Sequence, residues 1–349
     1  MNVNFDVGAF MKRDEMSAQE SDESSESKIG LALGSGGARG WAHIGALLEL
    51  EQLGIRPHCI VGTSIGAIAG VVYATGNTRI AQEVATDLNW TETAKLFLEL
   101  NTQRSGLLTG RNFIKLLKKI IPARTFEALQ IPMAIVATAL EDESEVIFKE
   151  GNLFEALRAS IGIPGIFTPI YKDGSNLVDG GLKNPLPINI CREMGATKVI
   201  AIDVNLGKSI NRERTKATHS STSKSRAENN NGELKQLTDS IISLIPQGQT
   251  TFSKTVTRWF EAQKKSREQT LSLFDVLTRS FRLIENEITR STLKLNPPEI
   301  LIQPSVGDIM TLEFHRGPEA IEAGRAAVHE QRSQLQRLSD ARATDKHEK

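Results

Sequence analysis

Gly62-Thr63-Ser64-Ile65-Gly66 has the G-x-S-x-G spacing of a serine nucleophile on a sharp turn, with small flanking residues that let strand and helix approach. It follows the apolar run HCIV and opens the helical pattern IGAIAGVVYATG, a context that points the Ser64 hydroxyl out of a sheet. The plain structural alternative is a serine that caps its helix. A serine nucleophile needs a base and donors for an oxyanion. NLVDGGLKNPLP supplies a carboxylate, Asp179, at the end of an apolar strand, with two glycines clearing space around it. A buried aspartate beside a serine can accept its proton directly; the alternative is an ordinary D-G turn.

The stretch KIGLALGSGGARGWAHIG runs from a strand through a glycine-rich turn into a helix. It is not a dinucleotide fingerprint, because Arg39 stands where the third glycine is needed, and it has no GK[ST] of a phosphate loop. Several backbone N–H groups of this loop can still converge on one negative point, helped by the helix dipole. Paired with the serine turn, that loop reads as an oxyanion cradle. Standing alone, it reads equally as a tight turn or as a binding loop for a phosphate or acyl carrier.

Histidines offer a rival base. An α/β-hydrolase order would put Asp and then His after the serine, and the downstream histidines are His219, His315, His329 and His347. Three of these fall in polar or charged segments, and His315 sits in EFHRGPE, so a His-dependent triad would use His315. His43 lies inside the helix after the glycine loop, where packing or a hydrogen bond is the ordinary role. His58 reads as a surface residue just before the nucleophile strand.

The elements that must hold these residues alternate along the chain. KIGLALG, HCIVGTS, IPMAIVATAL, EVIFK, NLVDGG, TKVIAIDVN and the distant EILIQPS read as short buried strands. Helical patterns intervene, which predicts an α/β fold: a three-layer sandwich with a mostly parallel central sheet covered by helices. Ligand sites in such sheets gather beyond the carboxyl ends of the strands, where both glycine-rich turns lie.

Composition narrows the class. The chain has 349 residues with 42 Lys plus Arg against 42 Asp plus Glu, so no bulk charge argues for nucleic acid or an anionic surface. Cys59 and Cys191 sit in apolar segments without metal spacing and read as reduced core thiols of a cytoplasmic protein. No apolar run reaches the roughly 18 residues of a spanning helix, and the opening residues lack a signal core. Residues 1–27 are expected to form a disordered acidic serine-rich tail, 28–338 the hydrolase domain with a polar low-complexity insertion at about 206–236, and 339–349 a charged tail. The segment SGLLTGRNFIKLLKKIIPARTF (105–126) carries an apolar stripe at helical spacing with lysines interleaved. It is either a membrane-resting or channel-roofing helix or, more ordinarily, a surface helix packing its stripe. FSKTVTRWFEAQKK (252–265) has a similar mixture and is a secondary candidate for membrane contact.

GSGGARGWAHIG, GTSIG and DGG, in this order, resemble the oxyanion motif, nucleophile elbow and dyad aspartate of the patatin-like phospholipases. The likeness is to bacterial single-domain members related to the catalytic domain of neuropathy target esterase; it covers about residues 28–205 and includes IGIPGIFTPI. It implies a patatin-like fold and a Ser–Asp dyad hydrolase acting on acyl esters of phospholipids or lysophospholipids. By the resemblance Ser64 is the nucleophile, Asp179 its base, Gly62 and Gly66 the elbow glycines, and Gly36 to Arg39 the oxyanion loop. The family lacks a catalytic histidine, and the resemblance implies no metal or organic cofactor. Arg39 would steady the loop or attract an anionic head group. The expected partners are a lipid or small ester and, by peripheral contact, the inner face of the membrane. Transfer of the acyl group to an acceptor other than water would use the same residues, and neither substrate identity nor oligomeric state is written in these motifs.

Overall fold

Two of the apolar runs, Ile29–Leu33 (β1) and Cys59–Thr63 (β2), lie side by side as the parallel centre of the sheet. The structure is a computed structural model, and the residues it describes are 27–97, 108–206 and 273–338. The two expected tails, nearly all of the 206–236 insertion and the 252–265 stretch lie outside those residues.

Outward from this centre come Met133–Ala139 (β3), Glu145–Phe148 (β4), Ile170–Lys172 (β5), Ser175–Asp179 (β6), Lys198–Ile202 (β7) and Ile300–Ile302 (β8). Their order is β5-β6-β3-β2-β1-β7-β8, with β4 also paired to β3. The run from β3 through β2, β1 and β7 to β8 is parallel, while β4, β5 and β6 add antiparallel pairings. The α/β expectation is therefore borne out, and each of the seven expected strands is present.

Alternation along the strands makes three layers. Leu31, Leu33, Ile60 and Ile135 point into one core with the helices Trp41–Gln52, Ile65–Ala74 and Gly317–Glu330. Ala32, Val61, Ala134 and Val136 point the other way, onto the helix Ile188–Glu193. Strands apolar on both faces read as continuous hydrophobic runs, which is why they stand out in the sequence. Cys59 and Cys191 are both buried in the second core as free thiols.

The lysine-flanked segment forms the helix Arg111–Ile120. Phe113, Leu117 and Ile120 are buried in the main core while Lys115, Lys118 and Lys119 face solvent, so this stripe packs in the ordinary way. Among the described residues no helix is long and apolar enough to cross a membrane.

Candidate active site

Sheet register brings the serine and the aspartate together. Thr63 is level with Val136 across β2 and β3, and the next β3 residue, Ala137, is level with Asp179 on β6. Ser64 and Asp179 thus stand at one height two strands apart, about 10 Å between backbones, a span their side chains close. Asp179 is the last residue of β6, as its strand-end position in the sequence led one to expect, and because β6 runs antiparallel to β3 it reaches the level of Ser64 through register.

Ser64 has φ 56° and ψ −122°, a left-handed strand-to-helix turn that an L-residue adopts only when its surroundings enforce it. The enforcement is visible on both sides. A Cβ on Gly66 would stand 2.2 Å from the Leu33 carbonyl oxygen, and one on Gly62 2.4 Å from Ala67 Cα. The Ser64 N–H donates to Ser160 Oγ at 2.8 Å, and Ser160 Oγ donates onward to the Val136 carbonyl at 2.5 Å. Ser64 caps nothing with its side chain. Its Oγ instead donates to Asp179 Oδ2 at 2.6 Å.

Asp179 is fully buried and its backbone is pinned by Gly162 and Thr138. Its other oxygen, Oδ1, accepts the Gly181 N–H at 2.8 Å, so both oxygens are directed. Burial pushes its carboxyl up to about 8, with the charge of Glu285 adding to the rise and the bonds from Ser64 and Gly181 opposing it. A carboxyl so held is ionised, and able to accept a proton, in mildly alkaline solution.

The glycine loop turns into the site as a 3-10 segment, Gly37–Gly40, in which Gly37 has φ +59°. A Cβ on Gly37 would lie 2.5 Å from the Thr311 carbonyl oxygen, and that carbonyl accepts the Ala38 N–H at 2.9 Å. One of the expected oxyanion donors is thus engaged by the chain's own 309–314 loop. Arg39 is 1% exposed; its guanidinium donates to the Ile309 carbonyl at 3.0 Å and to Asn205 Oδ1 at 2.8 Å. That position clamps the two loops together and keeps Arg39 out of reach of a head group. His43 Nε2 lies 2.8 Å from the Gly34 carbonyl oxygen, and burial lowers its pKa to about 4, so it holds the loop as a neutral donor.

The His315 ring packs edge-on against Trp90 at 4.8 Å, and the Ser64 hydroxyl is given to Asp179. His58 is exposed, as expected of a surface residue. Over Ser64 lies a narrow apolar cavity bordered by Ile65, Ile68, Phe113, Ile163, Leu312 and Phe314, with about 30 Å³ for solvent, a water or two. Among the described residues no cluster of three or more His, Cys, Asp or Glu is arranged to hold a metal.

Ser160 and Glu285 went unread in the sequence. Ser160 ends the helix Leu153–Ser160 with no local motif. Glu285 lies on Leu273–Leu295, whose apolar spacing at Val276, Leu277, Phe281, Ile284 and Ile288 is the signal for a helix there.

A family model described as patatin-like phospholipase matches residues 31–192, a span that holds the glycine loop, Ser64 and Asp179. An uncharacterized NTE family protein of Mycobacterium tuberculosis is 30% identical over 327 residues, covering 87% of this chain and 91% of that protein; its Mycobacterium bovis counterpart matches equally. The chain belongs to the patatin-like phospholipase family. Human patatin-like phospholipase domain-containing protein 6 is 37% identical over 183 residues, which are 50% of this chain and 13% of that protein. Among solved structures, VipD from Legionella pneumophila superposes with a TM-score of 0.44 and 14% identity, over 89% of this chain and 67% of that one. As a patatin-like phospholipase by family, the chain falls among lipid acyl hydrolases. Glu285 lies outside the span matched by the family model.

Proposed function

We propose that this chain is a serine acyl hydrolase of phospholipids or lysophospholipids working through a Ser64–Asp179 dyad. The observation that carries the reading is the 2.6 Å hydrogen bond from Ser64 Oγ to Asp179 Oδ2, on a strained turn beneath an apolar cavity.

The chemistry is a two-step acyl transfer. Asp179 Oδ2 takes the Ser64 proton as Oγ bonds to the ester carbonyl carbon, giving a tetrahedral oxyanion. The ester C–O bond then breaks, and the alcohol leaves with the proton held by Asp179. A water gives its proton to the same oxygen as it attacks the acyl-enzyme, and the fatty acid departs as Ser64 is regenerated. The oxyanion is held by backbone N–H groups of the Gly36–Arg39 loop, each donor worth about 2.7–4 kcal/mol. The Ala38 N–H reaches it only after the Thr311 carbonyl gives way, so substrate entry displaces the 309–314 loop. The same movement carries Leu312 and Phe314 off the cavity and makes room for an acyl chain.

Contact with lipid is peripheral in this reading, at the cytoplasmic face of the membrane. The test is release of fatty acid from lysophosphatidylcholine micelles and phosphatidylcholine vesicles by wild type and Ser64→Ala. Turnover confined to wild type supports a lipid acyl hydrolase. Hydrolysis of neither lipid nor of a short p-nitrophenyl ester by folded wild type overturns it.

A further inference from the structure

Glu285 is a buried carboxylate for which the two-step transfer has no use. It is 3% exposed on the helix Leu273–Leu295, more than 100 residues along the chain from Asp179. The point where a Gly181 side chain would begin lies 2.4 Å from Glu285 Oε1 and 3.1 Å from Asp179 Oδ1. The two carboxylates therefore face each other across one glycine, whose N–H is already donated to Asp179 Oδ1. Any side chain at 181 would fill the gap between them.

The groups around Glu285 come from every neighbouring element. Ser35 from the glycine loop bonds its carboxylate, and Asn205 Nδ2, just beyond β7, donates to Oε2 at 3.3 Å. Charged neighbours are Arg39 in the glycine loop, Asp203 beyond β7 and Arg282 on its own helix, with Asp179 across Gly181. With all of these ionised the cluster holds two cations, Arg39 and Arg282, against three anions, Asp179, Asp203 and Glu285. One negative charge is left over in a buried site. Like charges so placed titrate as a pair, and each holds its proton more tightly while the other is ionised. The burial of Glu285, and secondarily the charge of Asp203, push its carboxyl up to about 7, in the same range as Asp179.

Resting on the Ser–Asp reading, we propose that Glu285 is the positioning residue of the dyad: its negative charge across Gly181 keeps the Asp179 carboxylate an effective acceptor for the Ser64 proton. Glu285 exchanges no proton with substrate. The proton still passes from Ser64 Oγ to Asp179 Oδ2 and out with the alcohol, and Glu285 acts only through the field it sets on that oxygen.

The experiment is the pH dependence, from pH 5 to 10, of the rate at which a fluorophosphonate probe labels Ser64. The proteins are full-length wild type, Glu285→Gln, Glu285→Asp and Arg282→Gln, with Asp179→Asn as reference. Glu285→Gln is expected to move the acid-side inflection down by about one pH unit, and to slow the high-pH plateau by up to about tenfold because the remaining base is weaker. Glu285→Asp restores part of both. Arg282→Gln, which touches neither Ser64 nor Asp179, removes a cation and moves the inflection up, so the proposal stays testable even where Glu285→Gln fails to fold. A uniform slowing at an unmoved inflection, or a wild-type profile, in either folded variant overturns the role of Glu285. Wild-type labelling in Asp179→Asn instead overturns the Ser–Asp reading and leaves that outcome distinct.

Discussion

Replacing Asp179 with Asn should abolish catalysis and at the same time stabilise the fold in alkaline solution. Asn keeps the shape of the side chain and an oxygen for the Gly181 N–H, but removes a charge from a fully buried site. In the fold, burial and then the Glu285 charge raise the carboxyl from 3.8 to about 8. Below pH 4 the side chain is neutral in both folded and unfolded chains, so wild type and variant differ little. Between pH 4 and 8 the unfolded aspartate ionises while the folded one keeps its proton, and wild type loses stability steadily relative to Asn. Above pH 8 the difference levels off. Between pH 5 and 9 the gap should widen by about 4 kcal/mol, three pH units at 1.36 kcal/mol each. Urea denaturation followed by circular dichroism at pH 5, 7 and 9 measures it, with Ser64→Ala as the control that leaves the carboxylate in place. Parallel stability curves for wild type and Asp179→Asn across that range would refute the reasoning, since an uncompensated buried charge must leave this signature. A functional group held against the stability of its own fold is the usual trade-off at an active site.

Three further outcomes follow from the same geometry. Ser160→Ala leaves the Ser64 N–H without its acceptor in a fully buried place, so denaturation should show a loss of about 1–3 kcal/mol, and probe labelling of Ser64 should slow as the turn loosens. His315→Ala should keep ester turnover within about twofold of wild type, whereas a triad histidine would cost on the order of a thousandfold or more. Phe113 is 7% exposed, borders the cavity and meets Phe314 edge to face at 5.8 Å. Phe113→Ala should cost about 3–5 kcal/mol of stability, and should raise the preference for long over short p-nitrophenyl esters about tenfold, read from kcat/KM across a chain-length series.

What the sequence made legible was what local chemistry writes. Parallel strands buried on both faces are unbroken apolar runs, and the glycines at 62 and 66 mark a turn where backbone meets backbone. Ser64 and Asp179 were therefore readable as candidates, and the sheet register explains how residues 115 positions apart meet. β5 was not readable: three residues at the sheet edge, with Tyr171 exposed, carry too little pattern. Ser160, Thr311 and Glu285 were hidden for a different reason. Each acts through a partner distant in the chain: Ser160 by a side-chain bond, Thr311 through its backbone carbonyl, and Glu285 across a glycine. No spacing rule announces such contacts. The lysine-flanked helix left a membrane or channel role open beside ordinary packing, and periodicity alone could not separate them; most of its stripe packs into the core, while Phe113 also reaches the cavity.

The central claim is that Ser64 is a nucleophile activated by Asp179, and covalent labelling by a fluorophosphonate probe with peptide mapping tests it most directly. Wild type, Ser64→Ala and Asp179→Asn, each shown to be folded by circular dichroism, would be compared at pH 8. The account predicts a single adduct on Ser64 in wild type, none in Ser64→Ala, and labelling slowed by at least about a hundredfold in Asp179→Asn. An unlabelled, well-folded wild type, or an adduct on Ser64 that forms as fast without the aspartate, would contradict it.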